Sequence, residues 1–366
     1  MLGCERVHGR TEREREREGG VDCMDAGFPE LFRAALSSVE LCEVGSDERV
    51  VIYTDSQAEP ALSEAWYSAC VARGCDPTLI RAMARAPQTD PPPSAVAAMI
   101  EADLVFNIPS NQWEYSPSGR QILESGTRML DIVLSARSVV ERAFSVGRAF
   151  SMEFAWRADV AEGLLRNARE IRVTSPEGTD LRATLSAERP LDVGRGYIRR
   201  EPGAWDVYGT SLIAACPIEE SVDGHIYFNG PLWLEPLDIF AVEKPVHVEV
   251  ERGRIVQIDT SHKDAQILKR WFEQFDDPNA YLFAHIGWGW DPNFQLTSDE
   301  VTEEWESLYG AVTVGFGSNT APHHRGVVES AAHMDGCILT PSLWLDGHQI
   351  IKDGEFTDES GLRERG

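Results

Sequence analysis

The run SAAHMDG, residues 330–336, sets an imidazole and a carboxylate two positions apart among small and apolar neighbours. In an extended chain residues i and i+2 project from one face, so His333 and Asp335 would converge on a common point, as a strand presents two ligands to a metal ion. An H-x-D tripeptide also arises by chance, and a buried histidine often only hydrogen-bonds a neighbouring aspartate. His285 offers a third donor. It sits in FAHIGWGWDP, an apolar strand-like run with one imidazole followed by two glycines interleaved with Trp288 and Trp290. Two histidines and one carboxylate on one side of an ion leave the opposite positions open, an arrangement suited to non-haem iron(II) and dioxygen. The same donors suit zinc carrying a hydrolytic water. Hydrolysis would also need a carboxylate base, for which Glu219, Glu220 and Glu329 are candidates.

Other groups have competing structural readings. APHHRG places His323, His324 and Arg325 shortly before the H-x-D; Arg325 could clamp a substrate carboxylate or enolate, or belong to a solvated loop. Trp288 and Trp290 either stack on an aromatic substrate or fill the core. Asp180, in GTDL, reads as a turn residue, and His225, after a turn glycine, as structural.

The positioning elements divide the chain. Residues 1–23 contain TEREREREGG, a mixed-charge tract expected to be a disordered leader, and Met24 opens the globular pattern. Residues 24–168 alternate helix-like and strand-like segments: PELFRAALSSVEL, ERVVIYTD, ALSEAWYSACVARG, PPPSAVAAMIEA, DLVFNIP, GRQILESG, TRMLDI. That alternation predicts an α/β domain with a parallel sheet. Residues 169–354 change to short strands and hairpins, among them VTSPEGTDL and VEVERGRIVQI, with one helix at KDAQILKRWFEQF. They predict a mostly antiparallel α+β domain that holds the metal. Residues 355–366 are expected to form a mobile tail.

Composition narrows the partners. A net charge of −26 without a basic cluster past the N-terminus argues against nucleic acid and anionic membranes. No apolar run approaches a membrane span and the N-terminus has no secretory h-region, so the cytoplasm is expected. Seven scattered cysteines without C-x-x-C fit reduced thiols. No G-x-G-x-x-G follows the first strand, which argues against a dinucleotide site.

Five ordered blocks carry a more specific signal: SPEGTDL (175–181), CPIEESVDGHIYFNGPL (216–232), HIGWGWDP (285–292), GAVTVGFGSN (310–319) and SAAHMDGCIL (330–339). Together they resemble the aminopeptidase T superfamily, and within it the 2,5-dihydroxypyridine 5,6-dioxygenase branch. EADLVFNI with SGTRMLDI resembles the same superfamily in the N-terminal half. Where the dinuclear peptidases carry further metal ligands, this chain has His285, Thr313 and Thr210, so the resemblance implies one metal rather than two. It implies iron(II) held by His285, His333 and Asp335, a small aromatic substrate and O2, ring opening with both oxygen atoms incorporated, and a homo-oligomer. A base must take the substrate's hydroxyl proton, and Tyr115 is the candidate, although a phenol titrating at about 10 needs help from the metal or a cation. Val207 and Tyr115 stand where the dihydroxypyridine enzymes have pocket histidines. A related hydroxylated N-heterocycle or aminophenol-like ring therefore fits as well as 2,5-dihydroxypyridine. The alternative is a zinc or manganese hydrolase using the same three ligands.

Overall fold

A computed structural model describes residues 27–114, 116–145, 152–234, 239–292, 294, 303–319 and 326–363. The expected leader, Tyr115, His323, His324 and Arg325 lie outside the described residues.

In the helix Phe28–Leu41 the residues Leu31, Ala34, Ala35, Ser38 and Val39 form one buried stripe, the i, i+3, i+4 spacing of a helix lying on a sheet. Proline opens this helix and those at Pro60–Ala72, Pro93–Ile100 and Pro117–Glu124, where its missing N–H is not needed and its fixed φ suits the first turn. Between them run the parallel strands β1 (Val50–Asp55), β2 (Thr78–Ala82), β3 (Leu104–Ile108) and β4 (Arg128–Asp131). β1, β3 and β4 are buried along their whole length, as strands covered on both faces must be. β2 is a largely exposed edge strand whose sequence carries no apolar alternation.

After the helices Ala136–Ser145 and Met152–Asn167 come β5 (Glu170–Thr174), β6 (Asp180–Thr184) and β7 (Leu191–Val193). Then β8 (Trp205–Val207) returns to the first sheet and pairs parallel with β4, giving the order β2-β1-β3-β4-β8. Trp205 Nε1 donates to Asp131 Oδ2 at 2.6 Å across that junction. Residues from beyond the expected boundary near 168 thus complete the parallel sheet.

The remainder supplies β9 (Leu212–Ala215), β10 (Asp223–Phe228), β11 (Pro231–Leu234), β12 (Ile239–Ala241), β13 (Val246–Glu251), β14 (Arg254–Ile258), β15 (Phe283–Gly289), β16 (Val312–Gly317), β17 (His333–Ile338), β18 (Ser342–Leu345), β19 (His348–Lys352) and β20 (Glu355–Phe356), with a helix at Lys263–Glu273. They build two antiparallel sheets, β14-β13-β10-β6-β5-β18-β19-β20 and β12-β11-β17-β16-β15-β9-β7. One continuous core joins them: Val173, Leu181, Ile226 and Val248 from the first pack with Ile286, Trp288, Val314 and Met334 from the second. The fold is therefore a parallel α/β unit followed by a mostly antiparallel part. Among the described residues no helix is long and apolar enough to cross a membrane. Within the stretch 355–366, expected to be a mobile tail, Glu355 and Phe356 form β20 at the edge of the eight-stranded sheet, and the described chain continues to residue 363. β20 pairs with β19, and Phe356 and Leu362 are 1% and 0% exposed; these two apolar side chains tie it down.

Candidate metal centre

The three central strands of the seven-stranded sheet bring the expected donors together. Gly315 on β16 is the cross-strand partner of His285 on β15 and of Asp335 on β17, and Gly317 is the partner of His333. Directly paired residues share a face, so both imidazoles and the carboxylate stand on one side of the sheet, while Val314, Phe316, Ile286 and Met334 fill the core on the other. Simple alternation along β15 would put His285 on the same side as Phe283, whose partner is the core residue Phe316. A β-bulge between Phe283 and His285 shifts the register and turns His285 to the metal face.

His285 Nε2 lies 2.7 Å from Asp335 Oδ1, and His333 Nε2 lies 3.1 Å from Asp335 Oδ2. The imidazole centroids are 5.5 Å apart with the rings 23° from parallel. Two donors about 2.1 Å from one ion and at right angles to each other are about 3 Å apart, which these separations bracket. One ligand atom from each residue falls within 4.8 Å of the other two, the only such group among the described residues. The space they enclose depends on Gly315: a Cβ there would sit 2.4 Å from His285 Nε2 and 2.7 Å from Asp335 Oδ1. The donor set and its glycine cradle fit a single divalent cation.

Electrostatics agree. Burial alone would raise the Asp335 carboxyl's pKa, but the facing His333 and His285 rings and their hydrogen bonds outweigh it and hold the group well below the usual carboxylate range. His333 Nδ1 donates to the Ser318 carbonyl at 2.8 Å; a carbonyl only accepts, so the proton belongs on Nδ1 and Nε2 keeps its lone pair for the metal. Asp335 and His285 side chains are 1% and 4% exposed, whereas His333 is 20% exposed, so solvent reaches the centre from the His333 side.

The corner beneath His333 is braced. Asn319, fully buried, donates to Glu219 Oε1 at 3.0 Å and accepts from Val328 N at 2.8 Å. Glu219 in turn takes both terminal nitrogens of Arg189, at 3.0 and 2.9 Å. Its carboxylate is fully engaged, so it does not serve as the base a hydrolase would need; Glu220 and Glu329 are exposed. Thr210 is also engaged, donating to Asp206 Oδ1 at 3.0 Å.

Trp288 and Trp290 are both 0% exposed and belong to the core, with Trp288 paired to Val312 and Ile213 on the face away from His285. Asp180 begins β6 and binds Arg172 through both oxygens at 2.9 Å, so it is a strand ion pair rather than a turn residue. His225 stands on β10 with Nδ1 3.3 Å from His247 Nε2. Gly315, Ser318 and Asn319 were not singled out by sequence. One signal for the first was present: VGFG spaces two glycines by the period of a strand, which strips one face of side chains.

The sequence pattern of the 2,5-dihydroxypyridine 5,6-dioxygenase family matches residues 28–358. The 2,5-dihydroxypyridine 5,6-dioxygenase of Pseudomonas putida is 28% identical over 279 residues, 74% of this chain and 76% of the relative. Among solved structures, 2,5-dihydroxypyridine dioxygenase from Pseudomonas putida matches with a TM-score of 0.77 at 24% identity, covering 90% of this chain and 98% of that one. AmpT from Thermus thermophilus matches at 0.63 and 16% identity, covering 90% and 99%. The two structures share the fold, and the family pattern spans nearly the whole described chain. The protein belongs to the 2,5-dihydroxypyridine 5,6-dioxygenase family.

Proposed function

We propose that the protein is an iron(II)-dependent, extradiol-like ring-cleaving dioxygenase whose substrate is a hydroxylated N-heterocycle, 2,5-dihydroxypyridine or a close relative. The observation that carries this reading is the donor set, two imidazoles and one carboxylate gathered on one sheet face, in a member of a dioxygenase family. Bound iron(II) would supply the electron exchange between a closed-shell ring and dioxygen. His285, His333 and Asp335 would hold it, Asp335 ionised and His333 with its proton parked on Nδ1 against Ser318. His285 and Asp335 are buried, so the reactants would approach from the partly exposed His333 side. The ring itself supplies the electrons that dioxygen accepts, so no further reductant is required.

We assign Tyr115 to take the ring hydroxyl proton and Arg325 to hold a carboxylate or enolate of the substrate. The stretch leading to Tyr115 is tied to the parallel sheet: Ser110 N and Oγ donate to Asp55 Oδ2 at 2.7 and 2.8 Å, and Trp113 Nε1 donates to Asn107 Oδ1 at 3.1 Å. The same reading carries a homo-oligomer in the cytoplasm, and sedimentation equilibrium tests the assembly. Turnover of the iron-loaded protein under labelled dioxygen tests the chemistry. Both labelled atoms in one ring-opened product are expected, and an unlabelled product overturns the proposal.

A further inference from the structure

We infer that Thr313 contacts the substrate and reads a neutral hydrogen-bonding atom of its ring, an inference that rests on the dioxygenase reading above. Thr313 precedes Gly315 by two residues on β16, so its side chain shares the metal face and stands about 6.6 Å along the strand from the glycine cradle. Two rows of residues flank the row formed by Asp335, Gly315 and His285. One is filled by the His333 ring over Gly317. The other runs Cys337, Thr313, Gly287, Ala214 across four strands. Beside Thr313 this second row carries no side chain at Gly287, where the Ile213 carbonyl and the Ala214 methyl close in, so the Thr313 hydroxyl is the polar group of this row that a ring anchored at the metal centre would reach.

The hydroxyl is the second observation. Thr313 is 1% exposed and its Oγ1 has no hydrogen-bond partner among the described residues. Buried polar atoms are almost always paired, because leaving one unmade costs the full desolvation of the group. An apolar side chain of the same outline would avoid that cost, so a hydroxyl kept dry beside a ligand set is explained by a partner that arrives with the substrate. A hydroxyl can donate or accept, which matches a ring nitrogen or its N–H tautomer. It carries no charge with which to select a carboxylate. Thr313 thus favours a pyridine-type ring over the benzene ring of the same shape.

The test is anaerobic binding of 2,5-dihydroxypyridine and of hydroquinone to the iron-loaded protein, followed by tryptophan fluorescence, for wild type, Thr313→Val and Thr313→Ser. Iron content, melting temperature and O2 uptake are measured alongside. Thr313→Val is expected to bind the pyridine about 5-fold to 10-fold more weakly, the equivalent of one neutral hydrogen bond, with hydroquinone binding and iron content unchanged. Thr313→Ser should bind the pyridine as wild type does. The melting temperature of Thr313→Val should stay the same or rise, since a buried unpaired hydroxyl has gone. Pyridine binding equal to wild type in Thr313→Val, or equal weakening for both ligands with a lower melting temperature, overturns the inference. If wild type binds the pyridine without consuming O2 and Thr313→Val binds it more weakly, the contact stands and the dioxygenase reading falls. If wild type binds neither ligand, both fall.

Discussion

Asp335 and Asp131 are both strand aspartates with 1% and 0% exposure, yet their surroundings push the proton in opposite directions. At Asp131 burial raises the pKa to about 7, against hydrogen bonds from Asn107 and Trp205. Asp206, close by, is raised by burial to about 8 despite donors from Arg195 N, Val207 N and Thr210. Neutral donors satisfy the lone pairs of a buried carboxylate but do not hold its charge in a low-dielectric interior. Asp335 faces the His333 and His285 rings, and their attraction and hydrogen bonds outweigh burial and hold its carboxyl well below the usual range. What marks the metal centre is therefore the company the carboxylate keeps rather than its burial: two imidazoles face Asp335, and only neutral donors face Asp131.

The largest effect expected from this contrast is at Asp335. Asp335→Asn should lower O2 uptake by about 10³-fold or more and abolish metal retention on desalting, because an anionic ligand has been replaced by a neutral one. Asp131→Asn should retain metal as wild type does, and metal analysis of the two variants side by side checks both statements. Next comes the cradle. Gly315→Ala brings a methyl to 2.4 Å from His285 Nε2; we expect a loss of metal affinity of about 10-fold to 100-fold and of stability by about 1–3 kcal/mol, read by competitive chelation and by urea unfolding. Asn319→Ala should weaken metal binding by about 10-fold, acting through the Ser318 carbonyl that orients His333. In the metal-free protein Asn319→Ala should also shift the His333 ring resonances, which a purely distant change would leave in place.

The smallest effect separates the two regions by pH. Asp131 and Asp206 have folded-state pKa values above the unfolded value of about 3.9, so the folded state holds more protons and stability falls as pH rises from about 4 towards 7 and 8. Each group contributes at most about 1.4 kcal/mol per pH unit in that window. Asp335 has the opposite sign: its contribution is present above about pH 4 and is lost as pH falls towards its lower folded-state value. Hydrogen exchange at Leu130 and at Gly336 across pH 5–7 should show weakening protection in the first and a flat profile in the second, after correction for intrinsic exchange.

The ligands themselves were legible because their signals are local. H-x-D in an apolar run and one imidazole in FAHIGWGWDP are strand patterns, and β17 and β15 are where they fall. Helices opened by proline and hairpins closed by glycine were likewise local. What escaped depends on register. The bulge that turns His285 to the metal face is fixed by how β15 lies on β16, and nothing within β15 announces it. The return of β8 to the parallel sheet rests on three residues, too few for a period. Gly315 has meaning only through its two partners on neighbouring strands, and Phe356 and Leu362 look like part of a charged tail until the core they join is known.

The most direct test of the central claim is an anaerobic titration with iron(II) followed by an oxygen-electrode assay against hydroxylated pyridines and aminophenols, with zinc as the control metal. One iron per chain, and O2 uptake that requires iron and is not supported by zinc, is the predicted result. Absence of uptake with every ring, together with amide hydrolysis in the zinc-loaded protein, would contradict it and leave the same three ligands serving a hydrolase.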